Sequence, residues 1–171
     1  MKSVLISIQP YWVFLIIARL MGWNIPQEKT IEIRKDYPKA SDWNRLVHIY
    51  CSKNRKSFNR IPKEYQSLME KLLGKVIGSF VCDRIEKLRY NCDEYGHEWH
   101  EWNDEYVDYA NMCLSEKELE DYLGTGNGYG WHVSDLKIYD KTKELGEFKN
   151  SKGQKIKRPF QSWGYVEKIS K

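Results

Sequence analysis

The chain has 171 residues, of which 41 % are hydrophobic and 14 % aromatic, with a formal net charge of +4. This supports one domain with its own core over residues 1–171 and excludes a disordered chain; so small a net charge gives no whole-molecule argument for a nucleic-acid partner. Cys51, Cys82, Cys92 and Cys113 are scattered without a CxxC pair, which points to free thiols in a reducing, cytoplasmic setting.

In chain order, Val4–Ile8 (VLISI) has the length and composition of a buried strand. Pro10 suits the first turn of a helix, where its missing N–H costs nothing, and Gly22 suits its end. The run from Tyr11 to Ala18 (YWVFLIIA) is too short to cross a bilayer and lacks a cleavage pattern, so it reads as a buried helix and no membrane association is expected. A strand is expected over Gln27–Asp36 (QEKTIEIRKD) and another over Arg45–Ser52 (RLVHIYCS). Lys63–Gly74 has helical spacing and ends in glycine. Lys75–Leu88 (KVIGSFVCDRIEKL) reads as a strand interrupted at Gly78, a bulge or a close backbone approach.

Asp93–Asp108 holds seven carboxylates and no Lys or Arg. Within it Tyr95, Trp99, Trp102, Tyr106 and Tyr109 recur at spacings of four and three, which predicts an acidic, aromatic-faced helix near residues 94–110. Ser115 and Glu118 form a capping box, and Gly124 ends the helix it starts. The glycine-rich GTGNGYG closes that helix and opens a strand, the reverse of a dinucleotide fingerprint, so its glycines serve turn geometry. Trp131–Tyr139 and Gln161–Ile169 read as strands. Strands interleaved with short helices, without βαβ repetition, indicate an α+β domain on a curved or closed sheet.

Charge is segregated. Lys53–Lys63 and Lys149–Arg158 each hold five basic residues and no acid. The pattern suits a basic face and an acidic one, or solvated loops. Cys92, His97 and His100 have ligand chemistry suited to zinc, but their spacing matches no standard site and no fourth ligand is evident. No metal and no cofactor are expected.

Lys29, Glu32 and Arg34 form the most specific constellation. On a strand Thr30, Glu32 and Arg34 share one face and Ile31 and Ile33 the other, with Glu32 and Arg34 about 7 Å apart. Lys29 stands at the mouth of the strand. Facing a cleft, the three offer an acceptor, a planar donor and a cation, suited to a nucleobase edge and a phosphate or to acid–base work. Facing water, they are a solvated charge pattern.

At these residues the sequence resembles the ASCH domain of the PUA-like superfamily, whose pattern is G-x-K-x-x-E-x-R. Lys29, Glu32 and Arg34 fill its charged positions, and Gln27 stands in place of the glycine. VLISIQP, IYCSK, GKVIGSFVCD, GWHVSDLKIYD and PFQSWGYVE are similar, in order, to blocks of ASCH proteins common in Firmicutes and their phages. The resemblance implies a small β-barrel of about five to six strands with flanking helices, and a cleft into which the charged motif points. It implies RNA or nucleotide binding, with Lys29, Thr30, Glu32, Arg34, Trp131, His132, Ser162 and Trp163 at the ligand. Lys53, Arg55, Lys56, Lys155, Lys157 and Arg158 would follow the backbone of a single-stranded RNA.

Two activities known in the wider family, ribonuclease action and amide hydrolysis of acylated cytidine, make an enzyme the alternative, with Lys29 and Glu32 as the acid–base pair. The chain departs from the amidohydrolase pattern: Glu32 occupies a Thr position, and the segment before Ser115 (NMC) carries no carboxylate. Ser79 stands where relatives often carry an acid. About eight extra residues between Pro10 and Lys29, relative to compact members, would lengthen the first helix and its exit. A third reading is a phage-borne interaction or counter-defence protein, docking a basic partner through the acidic aromatic segment.

Overall fold

The computed structural model describes residues 2–39, 43–102 and 107–168. The elements are β1 (Lys2–Ile8), α1 (Pro10–Ile17), β2 (Ile31–Arg34), β3 (Trp43–Cys51), α2 (Arg55–Phe58), α3 (Lys63–Glu70), β4 (Val76–Val81), β5 (Ile85–Cys92), β6 (Glu98–Trp102), α4 (Tyr109–Met112), α5 (Glu116–Leu123), β7 (Gly128–His132), β8 (Ser134–Lys143), a 3₁₀ turn (Leu145–Glu147), β9 (Phe148–Asn150) and β10 (Trp163–Lys168). Among the described residues a six-stranded sheet has the order β8-β4-β3-β1-β10-β9, and a four-stranded sheet the order β2-β7-β5-β6. This is the α+β class expected, a small β-barrel fold with flanking helices; ten strands in two sheets are described, more than the five to six expected.

β1 is central because both its faces are apolar. Val4, Ile6 and Ile8 enter the main core with α1, β3 and β4. Leu5 enters a second cluster with Tyr50, Phe148 and Val166. Each such side chain, fully buried, contributes about 1.5–3 kcal/mol. β1 runs parallel to β3 (Val4 opposite Val47) and antiparallel to β10 (Leu5 opposite Gly164). In the second sheet β2 lies antiparallel to β7, with Glu32 opposite Trp131. Ile31 and Ile33 of β2 pack with Leu88, Trp102, Met112 and Leu119 in a third cluster, which turns Glu32 and Arg34 the other way.

Several sequence expectations are corrected. The acidic segment is not a helix up to Trp102: β5 and β6 form an antiparallel hairpin. Asp93 builds its turn, its carboxylate accepting from the backbone N–H of Tyr95 and His97, with Gly96 at φ 81. His100 and Trp102 then face inward and Trp99 outward, the alternation of a strand. Of the remaining rings, Tyr109 opens α4, and Tyr106 lies outside the described residues. Lys75–Leu88 is two strands in different sheets, because the N–H of Cys82 bonds Arg45 and the carbonyl of Arg84 bonds His132 between them. The first helix does not run on to Gly22: α1 stops at Ile17, and a turn from Ala18 closes at Gly22, φ 67.

No helix among the described residues is long and apolar enough to cross a membrane. Cys92 lies on β5 opposite Glu98, His97 bonds Asp93, and His100 bonds the Gly126 carbonyl. Among the described residues no group of three or more His, Cys, Asp and Glu could hold a metal ion.

Candidate functional site

Lys29, Glu32 and Arg34 meet in a cleft of about 380 Å³. Its floor is the polar face of β2. Ser7 and Gln9 supply one wall and Trp12 of α1 another, while Arg60, Glu118 and Tyr122 lie on the remaining sides. The three charged residues are 2 %, 5 % and 9 % exposed.

Lys29 and Arg34 are each held by backbone from elsewhere in the fold. The Lys29 N–H donates to the Leu15 carbonyl of α1, and its Nζ donates to the Met112 carbonyl at 2.6 Å. That ammonium lies 3.4 Å from Glu32 Oε2 and 5.2 Å from the centre of the Trp12 ring. Arg34 Nη2 donates to Glu32 Oε1 at 2.8 Å and to the Ser7 carbonyl at 2.8 Å. Arg34 Nε is buried with no hydrogen-bond partner.

Two cations therefore share one carboxylate. With all three ionised the cleft floor carries one excess positive charge in a low-dielectric setting, where it attracts an anion or a strong acceptor more than it would in water. Burial lowers the Lys29 pKa from 10.5; Glu32 opposes this and Arg34 reinforces it. The carboxylates at the mouth are already engaged: Glu118 with Arg60 at 3.1 Å and Asp121 with Lys117 at 3.3 Å. Arg60 also lies over aromatic rings, its guanidinium carbon 4.0 Å from the Tyr11 centroid and 4.8 Å from that of Trp12.

The other sequence candidates separate. Thr30 is fixed through its backbone, bonding Asn111 and Val133. Trp131 is fully buried and packs between Trp43 and Trp163 in the core, not in the cleft. His132 also faces away, with Arg84 and Glu86 beside its ring nitrogens. Trp163 Nε1 donates to Asp36 Oδ1 at 2.6 Å and Trp131 Nε1 to the Asp36 carbonyl at 3.2 Å. These indoles anchor the chain just beyond β2 and so hold Arg34 in place. Ser162 lines an adjoining cavity of about 580 Å³. Ser79 pairs with Lys137 in the six-stranded sheet and lies outside the cleft lining.

Among the basic candidates, Lys53 and Lys157 line a third cavity of about 510 Å³. Arg55 is committed to Glu70 through two short bonds of 2.7 and 2.6 Å. Lys56, Lys155 and Arg158 are exposed.

Sequence reasoning missed Gln9, Trp12, Arg60, Glu118 and Tyr122 as cleft walls. One signal was available: the capping box marked Glu118. Its Oε2 serves the Ser115 N–H and hydroxyl while Oε1 takes Arg60, so one residue both starts α5 and borders the cleft.

Searches of protein-family models and of curated proteins return no match to the chain. Solved structures do match. The crystal structure of ASCH from Zymomonas mobilis superposes with a TM-score of 0.57 at 18 % identity, covering 97 % of this chain and 88 % of that one. A mutant of that protein gives a TM-score of 0.58 at 17 % identity, over 98 % of this chain and 91 % of that one. At such identity the likeness is one of fold: the chain has the α+β fold of the Zymomonas mobilis ASCH structures over nearly its whole length.

Proposed function

We propose that this is an ASCH-type protein whose cleft binds a nucleotide or a single-stranded RNA segment. The observation that carries the reading is the buried triad. Two cations share Glu32, and Arg34 retains a free Nε donor. Such a floor suits a phosphate or the acceptor edge of a base, and Glu32 suits an exocyclic amine. Trp12 and Tyr122 on the walls offer rings against which a base could stack, a contact worth about 1–3 kcal/mol. The ASCH-like fold supports the same reading.

The test is fluorescence anisotropy with a labelled single-stranded oligoribonucleotide across a salt series. Arg34→Gln and Lys29→Gln alter the floor. Gln9→Ala alters an exposed wall residue and leaves the triad intact. Salt-sensitive binding is expected, weakened about tenfold or more by the floor variants and less by Gln9→Ala, with circular dichroism unchanged. Binding untouched by all three would remove the ligand from the cleft.

A second reading is favoured by one observation, the lowered pKa of Lys29 beside Glu32 in a cleft, an arrangement suited to acid–base work on RNA or an acylated nucleoside. It requires turnover that Glu32→Gln abolishes while binding persists.

A further inference from the structure

The cleft is the first of three cavities in series. It shares Ser7, Gln9, Arg34 and Tyr122 with the second, which Ser162 lines, and the second shares Ser52 and Pro159 with the third, at Lys53 and Lys157. Each has the volume of a small-ligand pocket, roughly 300–1,000 Å³. At both junctions stands a residue with an unsatisfied buried polar atom: Arg34 Nε at the first and Ser52 Oγ at the second. Buried polar groups are generally paired. Of the three such side-chain atoms without a partner among the described residues, two stand at the two junctions and the third, Asn91 Nδ2, belongs to β5 away from the trough. The two at the junctions therefore point to a polar occupant that runs past both; rotation about χ1 suffices to turn the Ser52 hydroxyl.

The charges agree. Asp36 in the second cavity accepts from Trp163, and Glu144 in the third is paired with Lys75. Lys53 and Lys157 make no ion pair among the described residues and are exposed. They come from two basic segments that are far apart in sequence and converge at the far end of the trough.

We propose, on the premise that the cleft takes a nucleotide, that the natural ligand is a single-stranded oligonucleotide and not a free mononucleotide. One nucleotide occupies the triad cleft, the chain runs past Arg34 and Ser52, and a phosphate of a following nucleotide lies between Lys53 and Lys157. No covalent step is involved.

The experiment compares a mononucleotide with single-stranded oligoribonucleotides of increasing length, on wild type and on Lys53→Ala/Lys157→Ala. Both lysines are exposed, so the variant should fold. Affinity is expected to rise tenfold or more with length and then level off. The double variant should lose most of that gain, lower the slope of log K against log salt by about 0.7 per lysine, and bind the mononucleotide as wild type does. A mononucleotide bound as tightly as any oligomer, or oligomer binding indifferent to the two lysines, would overturn the extended trough and leave the cleft reading standing. Failure to bind either ligand would overturn both.

Discussion

Lys29 Nζ stands 3.4 Å from Glu32 Oε2, with side-chain exposures of 2 % and 6 %, and Glu32 holds Arg34 with its other oxygen. Removing the carboxylate's charge leaves two buried cations with no counter-ion. Breaking a buried pair in this way costs about 3–5 kcal/mol, whereas the intact pair contributes little net stability. Glu32→Gln keeps the shape and an acceptor, so the expected loss is near the lower end, about 3 kcal/mol in urea unfolding. A loss below 1 kcal/mol would show that the triad is far better solvated than its burial implies.

The lowered pKa of Lys29 has a definite sign. Burial makes the folded protein release this proton at a lower pH than the unfolded chain does. Between the lowered value and 10.5 the unfolded state binds more protons, so this group's contribution to stability rises with pH across that window and its burial cost is constant below it. Cys51 and Cys82 act in the opposite sense. Burial pushes both thiols up to about 12, so their contribution is present below the unfolded value near 9 and is lost as pH rises towards 12. The whole-protein pH curve mixes these effects. The residue itself must be titrated, by the NMR shift of Lys29 Nζ. It should titrate below 10.5, and lower still in Glu32→Gln, which removes the largest opposing influence. A midpoint at or above 10.5 would contradict the burial argument.

Gly78 tests the fold beneath the site. A Cβ at this position would lie 2.3 Å from the Lys137 carbonyl oxygen, on the β8 backbone that pairs with β4. Backbone cannot swing aside as a side chain can. Gly78→Ala should therefore cost about 3 kcal/mol, the upper end of ordinary overpacking, measured by urea unfolding. A neutral change would mean that β4 and β8 separate more easily than their register suggests.

Local signals were legible where the physics is local. The alternation Ile31, Glu32, Ile33, Arg34 correctly divided core from polar face, because strand pleat alone decides it. The box at Ser115 and Glu118 is likewise local and is present, and the interruption at Gly78 marked a real approach of two backbones. The rings from Tyr95 to Tyr109 misled because spacings of four and three fit a helix face, whereas the Asp93 carboxylate and Gly96 close a hairpin first. Trp131 was placed at the ligand and lies in the core; its role depends on packing against Trp43 and Trp163, distant in sequence. The cleft walls were illegible for the same reason: Trp12, Arg60 and Tyr122 come from three segments that only the folded chain brings together.

The pair at the cleft mouth gives two variants with opposite expected effects. Arg60 is held by Glu118 and by the Tyr11 and Trp12 rings. Both charged side chains are more than a third exposed, so the ion pair contributes under about 1 kcal/mol. Its influence on an anionic ligand is larger, since Glu118 neutralises the cation nearest the entrance. Glu118→Gln removes that charge while Gln still completes the capping box, leaving Arg60 stacked and free to meet a phosphate. Oligoribonucleotide affinity should rise severalfold at low salt. Arg60→Ala removes the cation and leaves Glu118 uncompensated at the mouth, so affinity should fall severalfold, with stability changed by about 1 kcal/mol. Anisotropy titrations of the two variants on one labelled oligomer decide the matter. Movement of both in the same direction would show that the Arg60–Glu118 pair has no electrostatic control over the cleft.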